Sequence, residues 1–297
     1  MVCAWVGDDS IQKAGHPLPA PHIAAMLNVI IIVLIAAAGL FIGGRWALER
    51  RRRETLLSSP LSPAHARIVA KRVPVYAKLP ADLRARLDGL INRFLAEKKF
   101  FGAEGLEITD DMRVTIAAQA CLLIVNKPNR WYSTLRTIHV YPAAFKSRIV
   151  GVEDHAHTEK YPVRSGESWA KGPVVLAWDH AAYGAFIPHD GNNVVLHEFA
   201  HQLDEQTGVT DGAPLLDKDQ SASDWARAFR AAFRRLHDDL AAGRDNVLNP
   251  YGATSPAEFF AVATEAFFER PQELRAAETE LYRELAAYYR LDPAAWD

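Results

Sequence analysis

A chain of 297 residues, 49% hydrophobic and 24% charged, can bury a sizeable core in one large domain or two small ones. Its formal charge of −2 gives no reason to expect direct nucleic-acid binding, which needs a basic surface excess. Two cysteines, Cys3 and Cys121, sit far apart in unlike contexts and define no disulfide framework.

Residues 1–22 form an N-terminal extension, and Met26 offers an alternative start. Residues 23–44, rich in Ile, Leu, Val and Ala and free of formal charge, predict one transmembrane helix, because their helical length matches a bilayer core. Arg45 and Arg50-Arg51-Arg52-Arg53 follow, whereas Asp8, Asp9 and Lys13 precede. The positive-inside rule then places the arginine end and everything after it in the cytoplasm. A cleaved signal peptide would carry its positive charge ahead of the apolar run, the reverse of this order.

Residues 45–78 read as a basic juxtamembrane linker, in which Ser58, Ser59, Pro60, Ser62 and Pro63 break any helix. The remaining domain, 79–297, opens with an amphipathic helix carrying Leu83, Leu87, Leu90, Ile91, Phe94 and Leu95 on one face. Thr109 is placed to cap a second helix containing Val114 to Leu123. Thr137 to Tyr141 and Val174 to Trp178 have the pattern of short strands, with a polar loop including Ser165 to Ser168 between them. Further helices are expected at 192–206, at Ala222 to Ala241, from Pro256, and after Pro271 to about Tyr289. Mainly helical content with a small sheet gives an α+β class.

Val194-Val195-Leu196-His197-Glu198-Phe199-Ala200-His201 holds an H-E-x-x-H motif in an apolar helical stretch, with Asn192 or Asn193 as the cap. Residues four apart lie on one helix face, so His197 and His201 can present two imidazole nitrogens to one metal ion. Glu198 flanks that ion without ligating it. Two histidines, a third protein ligand and an adjacent glutamate base make a hydrolytic Zn2+ site.

The third ligand must come from elsewhere. Glu258 opens an otherwise apolar, phenylalanine-rich helix, where ligating a cation would remove the cost of burying its charge. A first-turn glutamate is also favoured by the helix dipole alone, so spacing leaves ligation and capping open. Asp204, three residues past His201, is placed to hydrogen-bond a ligand histidine. Glu265 suits either support or an ordinary helical position, Asp211 suits a turn, and His155 with His157 suits an exposed loop.

Gly172 to Trp178, Val195 to Asp204 and Tyr251 to Val262 together resemble the Mlc titration factor A family of bacterial zinc peptidases. The resemblance runs from about residue 70 to 290 and implies a zincin-like domain similar to the protease domain of anthrax lethal factor. It implies His197, His201 and Glu258 as zinc ligands, Glu198 as general base for a zinc-activated water, and Tyr251 pointing at the site. A phenol there can donate to the oxyanion formed when a peptide carbonyl is attacked. The expected function is therefore zinc-dependent peptide-bond hydrolysis, as aminopeptidase or endopeptidase, by a single-pass protein of the bacterial inner membrane. The alternative the resemblance implies is a protein-binding factor that sequesters a transcriptional repressor, with cleavage secondary. Strand Val174 to Trp178 is expected to hold an extended substrate by edge pairing.

Overall fold

The structure is a computed structural model describing residues 21–127, 129–146, 163–164, 166–168, 172–187 and 189–296. The chain divides into two compact units, Met1–Arg53 and Glu54–Asp297. Helix α1, Pro21–Ser58, contains a stretch, Ile32–Ser58, that by length and composition is able to cross a membrane. Its described side chains between Met26 and Arg53 are exposed.

The second unit is mainly helical with a small sheet. Ser62 accepts a hydrogen bond from the His65 N–H and starts α2 at Pro63, a favoured first position. Helices α2 (Pro63–Arg72) and α3 (Val75–Lys78) occupy sequence read as linker, and Leu61, Val69 and Val73 are buried in the core. Pro60 and Pro63 therefore punctuate the chain here without leaving it unfolded. Helix α4, Ala81–Glu97, buries Leu83, Leu87, Ile91 and Phe94, the face its spacing predicts. It leads into β1, Lys99–Gly102. Helix α5, Asp110–Leu122, is capped by Thr109 as expected and is buried from Val114 to Leu122, free Cys121 included.

Strand β2 is Thr137–Tyr141, followed by β3 (Phe145–Lys146), β4 (Val163–Arg164), β5 (Gly166–Ser168) and β6 (Val174–Ala177). The main sheet has the order β1-β2-β6-β5, with β1, β2 and β6 parallel and β5 antiparallel at the edge. Strand β6 is thus paired on both sides, which overturns the expectation that it binds substrate by its edge: Val174 already faces Ile138 and Ser168. Residues 166–168, read as loop, form that closing strand, too short for periodicity to reveal. Ser165, His155 and His157 lie outside the described residues.

Helix α6, Trp178–Phe186, leaves β6 directly. Helix α7, Val194–Asp204, packs against β5, β6, α5 and α6. Helices α8 (Ala222–Ala241), α9 (Pro256–Glu269), α10 (Pro271–Ala277) and α11 (Thr279–Tyr289) complete the unit. Pro271 follows the end of α9 and begins α10, and the single helix expected from there to about Tyr289 is two, α10 and α11, divided at Glu278. Phe259, Phe260, Phe267 and Phe268 on α9 pack with Trp225, Phe229, Tyr288 and Tyr289 into an aromatic core. The face of α9 left over meets α7, and the candidate site lies there.

Candidate metal centre

Helix α7 starts where Asn193 accepts a hydrogen bond from the Leu196 N–H at 3.1 Å. Val195, Leu196, Phe199, Ala200 and Leu203 anchor it in the core. That anchoring turns His197 and His201 toward α9. Helix α9 is capped by Ser255, whose Oγ accepts from the Glu258 N–H at 3.2 Å, so Glu258 stands in the first turn facing the histidines.

The three donor atoms form a small triangle. His197 Nε2 is 2.8 Å from Glu258 Oε2 and 3.2 Å from His201 Nε2, and His201 Nε2 is 3.3 Å from Glu258 Oε2. Metal–donor distances of about 2.0–2.1 Å imply a tetrahedral edge of about 3.3 Å, so the triangle has the size of one face of a zinc site. His201 Nδ1 is buried with no hydrogen-bond partner among the described residues, leaving its proton free to sit there and the Nε2 lone pair to face the centre. Two nitrogens and a carboxylate oxygen converging this closely fit a divalent cation.

The electrostatics agree. Burial disfavours a charged His197, but the Glu258 and Glu265 carboxylates outweigh it and raise its pKa well above the usual range. Burial likewise pushes the Glu258 carboxyl up, yet its bonds with His197 and His201 hold it well below the usual carboxylate range. A carboxylate that stays ionised beside two imidazoles is a ready metal ligand.

Glu198 is buried and lines a cavity of about 800 Å3 together with His197, Tyr251, Asp179, His180, Tyr183 and Asp190. The Tyr251 ring centroid is 5.9 Å from that of His197, and the side chain is half exposed at the cleft. His197, Glu198 and Tyr251 thus line one cavity, and His201 and Glu258 adjoin it through the donor triangle they form with His197.

Asp204 does not serve a histidine. Its Oδ2 accepts from the Gly212 N–H at 2.7 Å, and the hydrogen bond expected of it is made by Glu265, whose Oε1 is 2.8 Å from His197 Nδ1. Asp204 follows the end of the histidine face closely enough in sequence, but α7 turns it toward the 208–219 loop. Gly212 lies at φ +77°, and a Cβ there would meet the Pro256 carbonyl oxygen at 2.3 Å, so Asp204 ties this loop to the start of α9.

Sequence reading also passed over Glu269 and over Asn193 as more than a cap. The available signal was a second carboxylate four residues past Glu265 on an apolar helix.

A helix-borne pair of histidines with an intervening glutamate, met by a carboxylate from a later helix at the mouth of a cleft, is the arrangement of a metal-dependent hydrolase. The chain belongs to the glucose-regulated metallo-peptidase M90 family, whose model matches residues 46–290. It is 38% identical over 267 residues to an uncharacterized protein of Synechocystis sp., covering 89% of this chain and 97% of the relative. It is 33% identical over 231 residues to Mlc titration factor A of Klebsiella pneumoniae subsp. pneumoniae, covering 76% of this chain and 86% of that protein. Mlc titration factor A of Salmonella arizonae is 30% identical over 230 residues, covering 76% and 90% respectively.

Proposed function

We propose that this chain is a zinc-dependent peptidase whose Zn2+ is held by His197, His201 and Glu258. The donor triangle carries this reading, because three ligand atoms at tetrahedral spacing stand beside a buried glutamate in an open cleft. When bound, the ion acidifies a water and polarises a peptide carbonyl. Glu198 accepts that water's proton and delivers it to the leaving amine. Tyr251 donates a hydrogen bond to the oxyanion. Glu265 holds the Nδ1 proton of His197, keeping Nε2 directed at the centre. The peptidase occupies the unit Glu54–Asp297, and α1 anchors it to the bacterial inner membrane with the catalytic part cytoplasmic, as the arginine-rich end of the apolar run favours.

A second reading comes from the relatives named Mlc titration factor A: a regulator that binds a transcriptional repressor, with cleavage secondary. The buried Glu198 in the cleft favours catalysis, since a purely structural metal site does not need that carboxylate.

The test is Glu198→Gln with metal analysis and a peptide-cleavage assay. Full zinc occupancy with cleavage lowered roughly 10²–10⁴-fold supports the peptidase reading. Cleavage at the parent rate refutes the role of Glu198. Absence of cleavage in the parent chain, with zinc bound, favours the regulator.

A further inference from the structure

Asn193 stands where three helices meet, and it is buried with every polar group engaged. Its backbone N–H donates to Glu265 Oε2 on α9. Its Nδ2 donates to the Gly184 carbonyl oxygen on α6 at 3.0 Å and to Glu269 Oε1 on α9 at 2.9 Å. Its Oδ1 caps α7. The other Glu269 oxygen, Oε2, accepts from the Gly191 N–H at 3.1 Å. Glu269 therefore spends both oxygens on the two residues that lead the chain into α7.

This carboxyl is costly. Glu269 is 4% exposed, and among the described residues no cation pairs with it. Its neighbour Arg270 turns away, donating to the Val247 carbonyl at 3.0 Å and pairing with Glu273. Burial pushes the Glu269 carboxyl up to about 8; the Asn193 hydrogen bond opposes that rise and the nearby Glu265 adds to it. An apolar side chain would fill the position without this penalty, so packing alone does not account for it.

What Glu269 achieves is a fixed distance between two helices. His197 and His201 come from α7 and Glu258 from α9, so the donor triangle closes only if the helices keep their relative register to a few tenths of an ångström. Asn193 lies four residues, about one turn, ahead of His197. Glu265 and Glu269 lie one turn apart on α9 and clamp Asn193 from its backbone and its side chain. We infer that Glu269 is a positioning residue which, acting through Asn193, sets the first turn of α7 against α9 and so assembles the His197–His201–Glu258 site. The inference rests on the metal-site reading above.

The full-length chain, purified in detergent, is titrated with Zn2+ against a chromogenic chelator and with Co2+ while its visible absorption is followed. Glu269→Ala is expected to weaken Zn2+ binding roughly ten- to a hundredfold and to change the Co2+ band shape, which reports ligand geometry. Asn193→Ala is expected to do the same. The double variant is expected to be no worse than the poorer single one, since both act along one path. Unchanged Zn2+ affinity and Co2+ spectrum in Glu269→Ala, or losses that multiply in the double variant, overturn the inference. Should Glu269→Ala not fold, Glu269→Gln is read instead: it matches the size, keeps one acceptor, and is expected to lose affinity in the same direction. His197→Ala separates the two levels. If it binds Zn2+ like the parent, the metal-site reading fails; if it loses Zn2+ while Glu269→Ala binds normally, only the positioning role fails.

Discussion

Glu265 Oε1 lies 2.8 Å from His197 Nδ1, on the side of the imidazole opposite the nitrogen that meets Glu258. Both carboxylates come from α9, seven residues apart, so one helix supplies a donor to the centre and the group that orients another donor. Glu265→Gln keeps the shape but removes the charge and turns an N–H toward the Asn193 N–H. Zn2+ affinity is expected to fall roughly ten- to a hundredfold, measured by chelator competition. A variant binding as tightly as the parent would show that His197 needs no such partner.

Asp204 should give the metal-free protein a pH-dependent stability. It is fully buried, and that burial raises its carboxyl from the usual 3.8 to about 6, with the Gly212 N–H opposing and Asp211 adding. The folded state therefore holds a proton that the unfolded chain has released, so stability declines as pH rises from about 4 to about 6 and is level above that. The contribution is on the order of 1–3 kcal/mol. Denaturant melts at several pH values should show the decline in the parent and lose that part of it in Asp204→Asn, whose carbonyl oxygen can still accept from Gly212. Parallel pH curves for the two proteins would contradict this account.

Gly212→Ala tests the tie between that loop and α9. The backbone there is left-handed, and the new methyl would press on the Pro256 carbonyl at 2.3 Å. A loss of about 1–3 kcal/mol is expected from thermal or denaturant unfolding. Because Glu258 sits two residues beyond Pro256, Zn2+ affinity is expected to fall as well. A stable variant with parental affinity would mean that the loop yields freely.

Cell fractionation tests the role of α1. An apolar helix of this length should hold the chain in the membrane fraction through a high-salt wash and release it only with detergent. Release by salt alone would mean that the arginine run, rather than the apolar stretch, makes the attachment.

The sequence by itself determined the motif helix with an asparagine cap, which the structure assigns to Asn193 over Asn192, the Thr109 cap of α5 and the Pro256 start of α9, because these depend on neighbours within a turn or two. The two histidine donors and the glutamate between them were legible for the same reason, whereas Glu258 and Tyr251 were assigned by resemblance rather than by spacing. Tertiary structure alone decided that Glu265 rather than Asp204 orients His197, that β6 is enclosed by β2 and β5, and that residues 63–78 pack against the core through Val69 and Val73. Each of these turns on which faces of distant segments meet. Asp204 and Glu265 are both carboxylates near the right helix face in sequence; only the crossing of α7 over α9 settles which one reaches the imidazole, and periodicity along one helix carries no record of that crossing.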